Sequence, residues 1–386
     1  MKLRTSNSQH GFTLLELMIA SIIGLFMMVA MTSVFRQANA AAFTITQRAE
    51  TQQNMRAGIE LMAKDISLAG AGLPNGGLQL PSATPIKIAC NQGGTCYVPA
   101  ATYPNSNYMT GIIPGFGNGV EASAVIPSAP AAVNDSITSI YADYNFSLSN
   151  FKFTFPPAAS TPATVTLVAV PNASLPTNIL AAGGLNVGDL LLFSVQNAGT
   201  GVGAPNGQGT SSVQIASAVA EITSISGTGP WTIGFTSPDP LNFNQAGGLS
   251  AALAASTGAG DTISVNRLFA VTYFLQVPPA GGTVQTPRLM RQVNGLNAVP
   301  VADNIINLQF SYDVINYVSG FLDANQSNPL LAGDNLALIQ KTNIWVMGQS
   351  LNIGNNRAQS MYLTTSVSAG NMSFCNSLSN SGTVCQ

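Results

Sequence analysis

Residues 12–35 read FTLLELMIASIIGLFMMVAMTSVF, an almost unbroken apolar run in which Glu16 is the one charged side chain. A helix of about 24 residues is roughly 36 Å long, which is enough to cross the hydrocarbon core of a bilayer with some tilt. A short polar leader that carries Lys2 and Arg4 precedes the run. We therefore expect one membrane-spanning helix near the N-terminus and a large exported remainder.

The basic residues around this run bear on its orientation. Lys2 and Arg4 precede it and Arg36 follows it, so the positive-inside rule favours a cytoplasmic N-terminus. Two alternatives stay open. One is a plain single-span anchor, and the other is an ordinary secretory signal cut after Ala40, although such signals have an apolar core of only about 7–15 residues.

Glu16 is the unusual residue of the run, because a carboxylate near the start of a membrane helix is costly and normally has a partner. It could simply reach back to the headgroup level. Alternatively, a cut after Gly11 would free an amino group on Phe12, and Glu16, one helical turn on, could pair with such a cation on a neighbouring helix. That pairing would fix the axial register between subunits.

The junction Gly11-Phe12-Thr13-Leu14-Leu15-Glu16-Leu17 resembles the signal of type IV prepilins and pseudopilins. The resemblance implies that residues 1–11 are a leader peptide, which a prepilin peptidase removes after Gly11. It further implies that the same peptidase N-methylates Phe12 and that Glu16 guides assembly into a filament. The resemblance thus adds specific roles to three residues that the apolar pattern alone singles out.

The helix is expected to continue out of the membrane, since residues 38–69 contain no proline. Its exported part, residues 36–70, is amphipathic, because apolar side chains recur at spacings of three and four and form a stripe for packing on a folded domain. This stripe comprises Met55, Ile59, Met62 and Ile66. Asp65 lies beside the stripe and is expected either to bond to domain backbone or to remain a solvated charge. Gly70 is the expected end of the helix.

Composition excludes several classes of function. Only 7% of the residues are charged and the net charge is -2, so no nucleic-acid-binding surface is expected. The single histidine is His10, inside the leader, so the mature chain lacks the histidine of nucleophilic triads and of the usual zinc sites. We expect no enzyme, no cofactor and no metal. The Asp323–Asn328 segment with Asp334 is interpreted as a surface turn, because it lacks the glycine and final glutamate of a calcium loop.

The four cysteines are predicted to form disulfides, as suits an even count in an exported chain. We favour the local pairs Cys90 with Cys96 and Cys375 with Cys385, because each closes a short loop. Four cysteines permit three connectivities, and free buried thiols are the alternative.

Residues 71–386 are predicted to form a β-rich globular domain with long loops, including the inserts Asn197–Ser212 and Asn244–Asp261. Val265–Val277, Pro287–Val293 and Ile305–Tyr312 are predicted to be strands of one antiparallel sheet, with Leu308, Phe310 and Tyr312 on one face. The other predicted strands are Ser136–Tyr141, Phe151–Phe155, Thr164–Val170, Asp189–Val195, Val213–Ile225, Trp231–Phe235, Lys341–Ile353 and Gln359–Val367. The expected fold is therefore α+β and pilin-like, a long half-embedded helix packed on a mostly antiparallel β domain.

Two further segments narrow the resemblance. Residues 53–70 are similar to the end of the long helix in PilW-type minor pilins, and the strands between residues 266 and 312 resemble the same family. The implied function is a minor pilin that helps to initiate or cap a type IV pilus, with other minor pilins, the major pilin and the inner-membrane assembly platform as partners. The alternatives are a J-type pseudopilin of type II secretion and a tip adhesin that binds through its inserts.

Overall fold

The architecture is described from a computed structural model of the chain. The structure describes residues 11–74, 77–81, 86–88, 108–120, 134–143, 145–146, 148, 151–154, 164–169, 178–180, 183–197, 213–254, 262–276, 287–316, 319–326, 336–350 and 360–372. The four cysteines and the leader up to His10 lie outside these residues, as do Asn328 and Asp334.

A single helix, α1 (Leu14–Ser67), dominates the N-terminal part of the chain. It begins at Thr13, the N-cap, and ends three residues before Gly70, whose φ of +82° is a left-handed conformation that favours glycine. The amide of Gly70 then donates a hydrogen bond to the carbonyl of Ile140 at 2.9 Å, which joins the helix end to the sheet. The predicted continuation of the apolar run as one helix to Ser67 is confirmed.

The rest of the described chain is mostly β-structure. Its strands are β1 (Leu78–Gln79), β2 (Tyr108–Met109), β3 (Ile112–Val120), β4 (Asn134–Ala142), β5 (Phe151–Thr154), β6 (Thr164–Ala169), β7 (Leu190–Asn197), β8 (Val213–Glu221), β9 (Ser224–Ser226), β10 (Trp231–Gly234), β11 (Thr262–Gln276), β12 (Arg288–Val293), β13 (Val299–Asp303), β14 (Ile305–Ile315), β15 (Leu322–Gln326), β16 (Ile339–Gln349) and β17 (Ser360–Ser368). A short helix, α2 (Leu249–Ala254), precedes β11.

These strands form three main sheets, and every pairing among the described strands is antiparallel. The seven-stranded sheet has the order β13-β12-β11-β4-β3, with β7 and β8 added beside the first half of β11. The C-terminal sheet has the order β15-β14-β16-β17, and the small sheet has the order β5-β6-β10-β9. The structure thus shows the predicted α+β arrangement, with a long apolar helix followed by antiparallel β-structure.

The main core lies where α1 meets the C-terminal and seven-stranded sheets. The predicted helix stripe is buried there, since Met62 and Ile66 are fully inaccessible to solvent. Leu308, Phe310 and Tyr312 of β14 join it, as their predicted alternation requires. A second core unites the small sheet with β7, β8 and α2. The helix α1 therefore packs on the C-terminal and seven-stranded sheets, whereas the small sheet belongs to the second core.

Several predictions about the strands are wrong in detail. β14 belongs to the C-terminal sheet, whereas β11 and β12 belong to the seven-stranded sheet, so the three strands do not share one sheet. Residues 322–326, interpreted as a turn, form the edge strand β15. Residues 299–303, which were not among the predicted strands, form β13, and the Asn244–Asp261 insert contains α2. Val213–Ile225 is divided into β8 and β9, because the chain leaves one sheet and enters another.

Candidate processing, assembly and anchoring sites

The first candidate site lies at the start of α1, where Gly11 and Phe12 precede the N-cap residue Thr13. Thr13 and Glu16 form a capping box. The amide of Glu16 donates to Thr13 Oγ1 at 3.3 Å, while Glu16 Oε2 accepts the Thr13 amide at 3.0 Å and the Thr13 hydroxyl at 3.1 Å. Amide donors at a helix N-terminus have no intrahelical acceptor, so this reciprocal arrangement satisfies two of them.

The capping box also orients the Glu16 carboxylate. Both of its hydrogen bonds fall on Oε2 and both come from Thr13, one turn back. The carboxylate therefore lies toward the N-terminal end of the helix, next to the Gly11–Phe12 junction. The sequence spacing Thr-Leu-Leu-Glu was itself a signal for this box, which our prediction of an intersubunit role for Glu16 did not use.

The surface around this site is apolar and open. Phe12 has 88% of its surface exposed, and every residue of the 12–35 run is exposed in the single chain. Within the described residues, α1 is the one helix long and apolar enough to cross a membrane. A face of this kind is unstable in water, so lipid or neighbouring helices must cover it.

The second site is a buried polar cluster that joins the end of α1 to the seven-stranded sheet. Asp65, only 3% exposed, accepts hydrogen bonds from Tyr141 Oη on Oδ1 at 2.9 Å and from Tyr273 Oη on Oδ2 at 2.6 Å. Arg291 Nε donates to the same Oδ2 at 2.8 Å. Neither expectation for Asp65 holds, because its partners are side chains and it is not solvated. We call Asp65, Tyr141, Tyr273 and Arg291 the anchor cluster.

Electrostatics in the anchor cluster favour the charged pair. Burial and the adjacent Asp65 carboxylate both raise the pKa of the Tyr141 and Tyr273 phenols, so the two hydroxyls stay protonated and act as donors. Three donors on one carboxylate compensate much of its desolvation. The cluster therefore fixes both the rotation and the height of α1 against the sheet, which is a structural rather than a chemical role.

A third buried cluster holds the loop before β7 against β11. Arg267 bonds to Asp143 through Nε at 2.8 Å and also through Nη2, and its Nη1 donates to the Gly184 carbonyl at 2.6 Å. The guanidinium lies 5.4 Å from the ring centroid of Phe146 and 5.1 Å from that of Phe269. The contacts of the Arg267 guanidinium are all with groups of this domain, so this cluster too is structural.

Two buried carboxyl groups meet where β8 ends. Glu221 and Asp239 are 2% and 4% exposed, and their carboxyls share a hydrogen bond. Glu221 Oε2 accepts the Leu241 amide at 3.0 Å, and Asp239 accepts the amides of Phe243 at 2.7 Å and Asn244 at 2.8 Å. Burial, followed by the bond to Asp239, raises the pKa of Glu221 to about 8. The pair therefore binds a proton at neutral pH and closes the 239–244 loop.

The described acidic side chains of the segment considered for calcium, and of the strand beside it, form hydrogen bonds within the domain. Asp323 Oδ2 accepts from Asn316 Nδ2 at 3.0 Å, and Asp313 Oδ1 accepts the Asn325 amide at 2.9 Å, with Lys341 3.7 Å from the other oxygen. In the part of the chain that the structure describes, no group of three or more acidic, histidine or cysteine side chains converges. The proposed cysteine pairs and Asp334 lie outside that part.

The start of the chain matches a known family model. Residues 6–32 match the prokaryotic N-terminal methylation motif, which includes Gly11, Phe12 and the capping box. No curated protein and no solved structure matches the chain. The motif supports a type IV pilin or pseudopilin-type protein that is anchored in a membrane, is processed by prepilin peptidase and has a structural rather than an enzymatic role. The match ends within the membrane run and does not extend to the β domain.

Proposed function

We propose that the chain is a minor pilin of a type IV pilus, similar to PilW proteins, that helps to initiate or cap filament assembly. Prepilin peptidase removes residues 1–11 and methylates the Phe12 amine. The first half of α1, residues 12–35, passes from the inner membrane into the filament, and the β domain faces the periplasm and then the cell surface. Other minor pilins, the major pilin and the assembly platform are the proposed partners.

The observation that carries the proposal is the start of α1. A methylation motif covers residues 6–32, and the helix behind it exposes its whole apolar run. The Glu16 carboxylate is oriented toward the Gly11–Phe12 junction, and its proposed partner is the Phe12 amine of a neighbouring subunit. An ion pair there would offset the cost of holding a carboxylate in lipid.

The capping box makes a selective test possible. The variant Glu16→Gln keeps a side-chain oxygen for the Thr13 amide, so the helix start is retained while the charge is lost. Interhelical polar contacts in lipid contribute about 1–2 kcal/mol, so the amount of this protein in sheared filaments should fall by about tenfold. Immunoblots of sheared filaments and membranes measure it. Glu50→Gln, an exposed change on the same helix, is the control and should leave incorporation unchanged.

A deletion strain separates the pilus from its nearest alternative. A J-type pseudopilin carries the same helix start, so it would also depend on Glu16. Deletion of a J-type pseudopilin would abolish secretion of folded exoproteins and leave surface pili in place. Deletion of a minor pilin would instead reduce surface filaments, and normal piliation in the deletion strain would contradict the proposal.

A further inference from the structure

The outer edge of β17 is the surface from which we draw a further inference. β17 spans Ser360–Ser368 at the end of the C-terminal sheet, and among the described strands it pairs only with β16. Its exposure alternates strictly along all nine residues. Met361, Leu363 and Val367 pack on the main core beside α1, so the strand is held firmly on its inner face.

The register shows which backbone groups point outward. The amide of Ala369 donates to the Gln340 carbonyl at 3.3 Å, so 369 and 340 form a hydrogen-bonded pair of the antiparallel ladder. Such pairs alternate, and the unbroken register with β16 makes 367, 365, 363 and 361 the bonded positions. The N–H and C=O groups of the intervening exposed residues therefore point away from the sheet. These residues are Ser360, Tyr362, Thr364, Ser366 and Ser368.

The other edge strands of the three main sheets are short or meet their neighbours through an irregular register. β15 has five residues, contains Asp323 and meets β14 through an irregular register. β13, β3 and β8 each meet their neighbour through a register shift, and β5 and β9 have four and three residues. β17 is long, regular and free of charge and proline. Natural sheets usually block such an edge, because it accepts a further strand.

We propose that β17 is an assembly edge to which an extended, uncharged strand of a different exported pilin-like subunit is added. The proposal rests on the export and filament role argued above. An added strand would satisfy the five outward N–H groups and five outward carbonyls of β17.

Two observations favour this occupant. The edge carries no charge, so a strand with buried charges would lose hydration without compensation, and a neutral one fits. β17 also packs beside α1, and the exposed apolar run of the same helix is proposed above to lie next to other subunits. Strand addition at β17 would therefore extend the same contact from the helix to the β domain. On the outer face, Tyr362 is 67% exposed and stacks on Trp345 with centroids 6.4 Å apart, a platform beside the added strand.

The test uses the full chain in its own cells, with Tyr362 replaced by the photoreactive p-benzoylphenylalanine. Thr364→Pro removes an outward N–H and no bond to β16, and proline is tolerated at such edge positions. Thr364→Val, which keeps the N–H and the β-propensity, is the matched control. Ser366→Lys is a second variant that leaves the strand intact and charges the edge.

We expect a cross-link to a peptide of a different exported chain, unchanged in Thr364→Val and reduced about tenfold in Thr364→Pro and Ser366→Lys. A cross-link between two copies of this chain, a cross-link insensitive to both variants, or none at all would overturn the proposal. Mass analysis of the N-terminus in the same samples separates this failure from failure of the pilin role. Protein that begins at methylated Phe12 and gives no cross-link refutes only the assembly edge.

Discussion

At the scale of single residues, the anchor cluster shows how one carboxylate ties a helix to a sheet. Asp65 is separated in sequence from its partners by between 76 and 226 residues, so no local pattern indicates them. The stripe beside it was predictable because its spacing follows the helix period. The bonds of Asp65 were not predictable, because they depend on which residues of β4, β11 and β12 face the helix.

Replacement of Asp65 by asparagine should destabilise the fold. The amide cannot neutralise the Arg291 guanidinium, and it has one acceptor oxygen for three donors. We expect a loss of about 3 kcal/mol in the free energy of unfolding, the range for breaking a buried ion pair. Denaturant unfolding of the full-length protein in detergent measures the loss. Glu60→Gln, which removes the same charge at an exposed position on α1, should change the free energy by less than about 0.5 kcal/mol.

The Glu221–Asp239 pair predicts how stability depends on pH. Because the folded-state pKa of Glu221 is raised to about 8 from 4.5, its stabilising contribution is complete below pH 4.5 and is lost as pH rises through 8. Glu221→Gln can donate to Asp239 at every pH, so it should remove this dependence. Between pH 5 and 9 the wild type should lose about 4 kcal/mol more than the variant. Thermal unfolding of the wild type and of Glu221→Gln should be measured across this pH range. Coinciding profiles for the two proteins would contradict a shared proton between Glu221 and Asp239.

At the scale of elements, α1 packs so closely on β16 that one position there has no space for a side chain. A Cβ on Gly348 would lie 2.8 Å from Met55 Sδ and 2.9 Å from Thr51 Cγ2, both on the buried face of the helix. Glycine at this position is thus required by the close approach and not by its backbone angles. The sequence gives no sign of this, since Gly348 lies inside an ordinary strand pattern.

Gly348→Ala should therefore push the helix from the sheet. Met55 and Thr51 are both buried, so either would have to displace its neighbours to make room, and we expect a destabilisation of about 1–3 kcal/mol, as for other overpacked cores. Thermal unfolding of the full chain measures this. Gly370→Ala is a suitable control, because an added Cβ there meets nothing within 4 Å. Equal effects of the two substitutions would show that the close contact is not what matters.

The buried face of a strand could be predicted from the sequence, whereas its partner strands could not. Alternation within β14 predicted its buried face correctly, because alternation is a local property. The choice of a partner strand is not local. β14 pairs with β15 and β16, although β12 and β13 directly precede it in sequence. β15 was missed because its polar side chains, including Asp323 and Asn325, are typical of a turn, while its strand geometry comes from pairing with β14.

At the scale of the whole molecule, the chain has two parts. One is the exposed apolar start of α1, which lipid or other helices must cover, and the other is a β domain that the main core joins to the end of α1. The apolar run, the capping box and the methylation motif all lie within residues 6–35. The anchor cluster fixes the helix against the seven-stranded sheet, and β17 is an edge strand that pairs only with β16 among the described strands. The proposed role in filament assembly therefore requires processing at Gly11 first.

The most direct test of this account is the mass of the N-terminal peptide of the protein isolated from its native membrane, alongside a Gly11 variant. We predict that the mature chain begins at N-methylated Phe12 and that the Gly11 variant retains its leader. A chain that begins after Ala40, or one that retains Met1, would contradict the processing on which the proposed filament role depends.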